Sequence, residues 1–388
     1  MTTGQDTLRA YPFTRTAPLD PPPELAELRA AGPIHRVRTA AGPAWLVTRY
    51  DGVRELLSSP AFGTGYPGTL PTGADDLATG FMFLHDPPEH TRLRRSVARA
   101  FTARRVAGLG RRASAVAAEL VAAMRNKGPG LDLQAEFAFP LPITIVSELL
   151  GIPEPERARF GEWADIVLRP GEVTGDAGSA FHDLQHFAVA LVDGKPDGPD
   201  LLSDLLRDED GLSRLEVAAM ALGLVMAGYV TTASAISHGM LRLFTTPGAL
   251  DALRGGHVDT GRAVEELLRL QDEEIGVNRV ARSDVDLCGV RIGEGETAIA
   301  ARTGANRDPD VYRSPDVYDP AADRAPHLGF GHGVHHCLGA ALARMELAVA
   351  VDTLLAGLPG LRLAVPPDAV RWSAPGMDVA IETLPVAW

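Results

Sequence analysis

The chain has two cysteines, Cys288 and Cys337, and the second stands in the run GFGHGVHHCLGA, residues 329–340. One thiol, three histidines and four glycines within twelve positions admit four kinds of chemistry. A buried structural cysteine would leave the glycines at 331, 333 and 339 without a purpose. Zinc could draw on His332, His335, His336 and Cys337, but three adjacent residues cannot all close on one tetrahedral ion. A nucleophilic thiolate would gain from amides at the start of the helix that follows, yet it needs a base and a cleft. A thiolate ligand to haem iron accounts for the glycines, the position and the isolation of the thiol together. Glycine lets the backbone approach a flat macrocycle, and helix-terminal amides stabilise the negative sulfur.

Other residues carry chemistry by their spacing. His90 and Arg94 are four apart in EHTRLRR, so both point from one helical face and could hold an anionic group; Arg92, Arg95 and Arg99 read instead as a solvated basic face. Glu266 and Arg269 in EELLRL are one helical turn apart, a separation that is common on solvated helices. Residues 217–236, VAAMALGLVMAGYVTTASAI, run for twenty positions without a charge. That length matches a membrane span. Gly223, Gly228, Thr231, Thr232 and the lack of a second span point instead to a helix through a large core.

These residues need elements to position them. Residues 33–48 read as two short strands with a turn at Gly42-Pro43, followed by a helix at 51–58. Residues 62–80 are rich in glycine and proline and read as a long loop, a pocket wall or lid. From Pro87 to about 270 the pattern is mostly helical, with Gly151 placed to close the helix LPITIVSELLG. Residues 278–302 change to short β-branched runs, hence small strands. A helix of about twenty residues follows the cysteine and ends at Gly357 and Pro359, and the tail from Leu361 reads as a β-hairpin. Cys337 therefore sits on a loop at a helix N-terminus.

Composition sets the outer bounds. The chain has 388 residues, 45% hydrophobic and 22% charged, with a formal net charge of −13. That charge argues against general binding to nucleic acid or to an anionic membrane. Two cysteines make no disulfide framework. The start, MTTGQDTLRAYPF, lacks the basic and apolar regions of a signal peptide, so a cytoplasmic protein is expected.

The cysteine run closely resembles the haem-binding signature of the cytochrome P450 family, matched by Phe330, Gly331, Gly333, His335, Cys337 and Gly339. The resemblance extends over nearly the whole chain, to soluble bacterial members. It implies a mainly α fold with small β-sheets and a single domain over 1–388. Haem b would lie between a central oxygen-groove helix and the helix after the cysteine loop, with Cys337 as the iron ligand. In relatives, positions matching His90, Arg94, Arg279 and His335 hold haem propionates, and Glu266 with Arg269 form a buried pair. The family often adds an arginine upstream of the cysteine; Val317 stands there, so that network is expected to be incomplete.

AGYVTT, residues 227–232, resembles the family's oxygen groove, where a glycine, here Gly228, opens the helix and an acid precedes a threonine. Thr231 matches the threonine, whereas Val230 replaces the acid, and valine relays no proton. Protons must then come through Thr231, ordered water or the substrate. The aliphatic residue also resembles mycocyclosin synthase-like members that couple an aromatic cyclodipeptide, as do LPGLRLAVP and the final LPVAW. The expected function is tailoring of a bacterial secondary metabolite with dioxygen and electrons from a ferredoxin and its reductase, leaning to such coupling. The rival enzyme reading is hydroxylation or epoxidation of a macrolide or terpenoid; a haem-binding protein without oxygen chemistry is a rival of another class. Substrate contacts are expected from Met82, Phe83, Ala227, Val277 and Met377, with Asp272, Glu273 and Glu274 as acids near the pocket. Arg95, Arg104 and Arg344 are expected to dock an acidic electron carrier.

Overall fold

The computed structural model describes residues 8–15, 19–65, 77, 80–99, 101, 103–157, 161–163, 177–208, 211–271, 276–372 and 381–388. They are mainly helical with small sheets, the class expected. They group into two compact units, one from the described parts of Met1–Gly65 and Leu268–Cys337, the other from those of Tyr66–Leu267, Leu338–Gly376 and Ala380–Trp388.

The first unit is built on a five-stranded mixed sheet. Its strands run in the order Ile34–Thr39, Gly42–Val47, Thr297–Ala300, Val277–Ala281 and Phe62–Gly63. Gly42–Val47 and Thr297–Ala300 pair in parallel, and the other contacts are antiparallel. Along the first hairpin Val37, Ala44 and Leu46 enter one core cluster and Ile34 and Val47 another, so both faces of the hairpin are covered. Its turn falls two residues earlier than the Gly42-Pro43 expected from sequence. Thr39 pairs with Gly42, leaving Ala40 and Ala41 as the turn. The Thr39 hydroxyl donates to the Gly42 carbonyl at 2.9 Å and accepts the Ala41 amide at 3.2 Å, so a side chain closes the reversal. The hairpin Val285–Leu287 and Val290–Ile292 turns through Cys288 and Gly289, both at positive φ, as a two-residue hairpin loop demands. Cys288 is thus a turn residue, and burial pushes its thiol pKa up. The helix Tyr50–Ser58 adds Val53, Leu56 and Leu57 to this core.

The second unit is helical. Its central run consists of Arg214–Gly228 and Val230–Thr245, separated at Tyr229, where ψ is −74°. Ser213 starts the run with a capping box: its side chain accepts the Glu216 amide, and Glu216 accepts the Ser213 amide, an arrangement that satisfies two orphan donors. Arg214–Thr245 is long and apolar enough to cross a membrane, but 72% of its most apolar stretch is buried inside the protein, which fits the core-helix reading. Arg214–Gly228 packs on Ala177–Asp193, and both Val230–Thr245 and Ala103–Lys127 pack on Ala340–Gly357. Pro140–Leu150 ends at Gly151 in the left-handed conformation, as expected. Small sheets form where Pro385–Ala387 pairs with Leu131–Asp132 and Arg362–Leu363, and where Arg371–Trp372 pairs with Ile381–Thr383.

Candidate functional site

The cysteine loop is held by its backbone. The Cys337 amide donates to the Phe330 carbonyl at 2.9 Å and the His336 amide to Gly333 at 3.0 Å. Gly331 and Gly333 take φ of +73° and +72°, which disfavours any side chain. The two differ in their surroundings. A Cβ on Gly333 would stand 2.4 Å from the Leu57 carbonyl oxygen, whereas one on Gly331 would meet nothing within 4 Å. Close approach at Gly333 is therefore to protein backbone, while Gly331 leaves open space beside an exposed Cys337. Gly339 has φ −82°, a conformation open to any residue, so backbone freedom does not explain it.

A polar frame fixes the strand of chain that enters this loop. The Asn306 side-chain oxygen accepts the Leu328 amide at 2.7 Å, and Arg302 donates to the Gly329 carbonyl at 2.9 Å. Arg269 is 1% exposed. It donates to the backbone carbonyls of Asn306, Pro315 and Val317 at 2.8, 2.7 and 3.3 Å and lies over the Tyr312 ring. Val317 thus enters the network through its main-chain oxygen, with its own side chain exposed. Arg324 donates to the same oxygen at 3.3 Å. Arg269 is thus met by backbone acceptors, a role that residue identity does not reveal.

His90 and Arg94 share the helix Glu89–Ala98; His90 is buried and Arg94 half-buried, while Arg92, Arg95 and Arg99 are exposed. Arg92 is engaged by Glu89 and Glu216. Arg279 is buried and donates to the Asn278 carbonyl at 2.9 Å. Glu266 is 4% exposed, which rules out a solvated helix face for it. His335 is half-buried, beside the exposed His336. For His332, burial lowers the imidazole pKa, with the Arg54 charge adding to the effect.

At the break in the central run, Ala227 and Thr231 are exposed although Val225, Tyr229, Val230, Thr232 and Ala233 are buried. The Thr231 hydroxyl donates to the Ala227 carbonyl at 2.5 Å. Gly228 has room, since a Cβ there would stay 3.7 Å from Val146. Tyr229 points the other way, as two helical steps require, toward a cavity of about 530 Å³ that also touches Phe139, Ile143, Thr144 and Gln134. None of the expected substrate residues is among the described residues lining that cavity.

In the segment 80–84, Phe81 is buried against the central run, whereas Met82 is half-buried and Phe83 is 42% exposed. Val277 is half-buried at the start of its strand. Met377, Asp272, Glu273, Glu274 and the side chain of Arg104 lie outside the described residues, as does most of the loop 62–80. Arg344 is occupied by Glu265 through two hydrogen bonds, at 2.5 and 3.1 Å. Among the described residues no group of three or more His, Cys, Asp or Glu side chains is placed to hold a metal ion, so the zinc reading of the loop has no support there.

Residues 260–358 match the model of the family described as cytochrome P450. The chain is 42% identical to the cytochrome P450 monooxygenase PikC of Streptomyces venezuelae, over 95% of this chain and 91% of that one. It is 41% identical to the mycinamicin IV hydroxylase/epoxidase of Micromonospora griseorubida, over 91% and 92%. A solved structure of CYP105P1 in complex with filipin I superposes with a TM-score of 0.91 at 35% identity, over 98% of this chain and 99% of that one. The chain belongs to the cytochrome P450 family and has its fold. Its class is that of monooxygenase oxidoreductases, which bind haem b through a cysteine thiolate. The residues of the first unit fit that group: an exposed thiol at Cys337, open space at Gly331 and a buried basic side chain at Arg279.

Proposed function

We propose that this protein is a cytoplasmic haem-thiolate monooxygenase, one catalytic domain over 1–388, that hydroxylates or epoxidises a macrolide or related bacterial secondary metabolite. The observation that carries the reading is the exposed pair Ala227 and Thr231, joined by a hydrogen bond and lying between the buried Val225 and Thr232, in a chain so similar to a mycinamicin IV hydroxylase/epoxidase. Cys337 would ligate the iron. His90, Arg94, Arg279 and His335 would hold the propionates, with Phe330 and Gly339 shaping the loop and Glu266 and Arg269 supporting it. Haem, when bound, supplies activation of dioxygen with electrons delivered by a ferredoxin and its reductase.

The chain's own part is to hold a proton and exclude water. The Thr231 hydroxyl holds its proton in a hydrogen bond donated to the Ala227 carbonyl. Val230, 6% exposed, provides apolar bulk in place of an acid, so the proton route depends on Thr231 and on water ordered by it. Met82, Phe83, Ala227, Val277 and Met377 are the substrate contacts. Arg95 is an exposed docking charge for the ferredoxin, whereas Arg344 spends its charge on Glu265.

Oxidative coupling of an aromatic cyclodipeptide is the second reading, favoured by Val230. Product mass separates the two: insertion adds one oxygen atom, and coupling removes two hydrogens for each bond formed. Incubating the haem-loaded protein with ferredoxin, its reductase and each substrate class tests the proposal. A macrolide product heavier by one oxygen supports it, and a dehydrogenated cyclodipeptide without any macrolide turnover overturns it.

A further inference from the structure

Two histidines outside this site share the exposed face of the helix Ala177–Asp193, whose opposite face packs on the central run. His182 and His186 are four residues apart, one helical turn. Their Nε2 atoms are 3.1 Å apart, and their rings meet at a steep angle with centroids 4.3 Å apart. Alone, one imidazole must donate to the other, which needs one Nε2 protonated and the other bare. A metal ion held by two imidazole nitrogens at about 2.1 Å and close to a right angle needs them about 3 Å apart. The observed separation is that bite. The helix contains no lysine or arginine to repel a cation, and Asp183 and Asp193 are its only charged residues.

We propose that His182 and His186 form a two-point site for a divalent transition-metal ion, with water completing the coordination. Neutral imidazole selects nickel, copper or zinc over magnesium and calcium, which prefer oxygen. Spanning one turn of the helix, the ion ties the folded form and raises stability by mass action. It is separate from the haem and takes no part in its chemistry.

The test uses the haem-loaded protein and nickel chloride, followed by calorimetric titration and by thermal melting. One saturable nickel site per chain is expected, with a rise in melting temperature reversed by a chelator and an unchanged visible spectrum. His182→Asn and His186→Asn, both on exposed positions, should each keep the haem spectrum and lose the saturable phase and the melting shift. Binding that survives in both variants places the ion elsewhere and overturns the proposal. So does the absence of saturable nickel binding, or a magnesium titration that reproduces the nickel response.

Discussion

The buried side-chain oxygen of Asn306 accepts the backbone amide of Leu328 at 2.7 Å, two residues before the phenylalanine that opens the cysteine loop. Replacing Asn306 with leucine leaves that amide without its acceptor, at a cost of about 1–3 kcal/mol. Because the Asn306 main-chain carbonyl still receives Arg269, the rest of the frame persists and the defect stays local. Urea unfolding should show a lowered midpoint, and the reduced carbon monoxide spectrum should decay faster from the thiolate form than in wild type.

The two glycines of the loop separate conformation from contact. Gly331→Ala pays only for positive φ, about 1–2 kcal/mol, since its Cβ would meet nothing within 4 Å. Gly333→Ala adds a Cβ 2.4 Å from the Leu57 carbonyl oxygen, and backbone cannot swing aside as a side-chain tip can. The expected result is that Gly331→Ala purifies folded, with any loss confined to haem occupancy, while Gly333→Ala loses global stability as well. Thermal melts and haem-to-protein ratios on both variants check this contrast.

Much of this was legible in the sequence, for reasons that can be named. A thiol among glycines before a helix, a charge-free run of twenty residues and a Gly151 helix stop are local signals. Residues whose roles depend on distant partners were not legible. Arg269 meets three backbone carbonyls on a remote segment, and no residue identity announces a carbonyl. The break at Tyr229, by contrast, follows directly on Gly228, the glycine expected to open the helix. The hairpin turn moved because the Thr39 hydroxyl outweighed the Gly-Pro pair as a turn signal.

Thr231 should prove to govern how reducing equivalents are divided. Thr231→Ala removes the hydroxyl that donates to the Ala227 carbonyl, so peroxide released per product formed should rise by about tenfold or more. Val230→Asp restores an acid beside it and should shift the ratio the opposite way in variants that fold. Parallel assays of electron-donor oxidation, peroxide and product measure the division. Unchanged ratios in both variants would refute the proton route through this turn.

Glu346 supplies the last prediction, one that concerns pH. It lies on Ala340–Gly357 in line with Leu342, Ala350 and Leu354, all buried, so the helical period already places it on the inner face. It is 2% exposed, and among the described residues nothing bonds its Oε2 atom. Burial pushes its pKa up to about 8, from an ordinary 4.5. The sign follows from proton binding. Between those two values the unfolded chain has released this proton and the folded one retains it, so stability falls as pH rises through that window and levels off above about 8. Glu346→Gln keeps the shape, removes the titration, and should flatten the stability profile across the same window, with a gain of up to a few kcal/mol at the alkaline end. Urea midpoints taken from about pH 5 to pH 9 measure the two slopes, and equal slopes in wild type and variant would show that Glu346 is ionised in the fold.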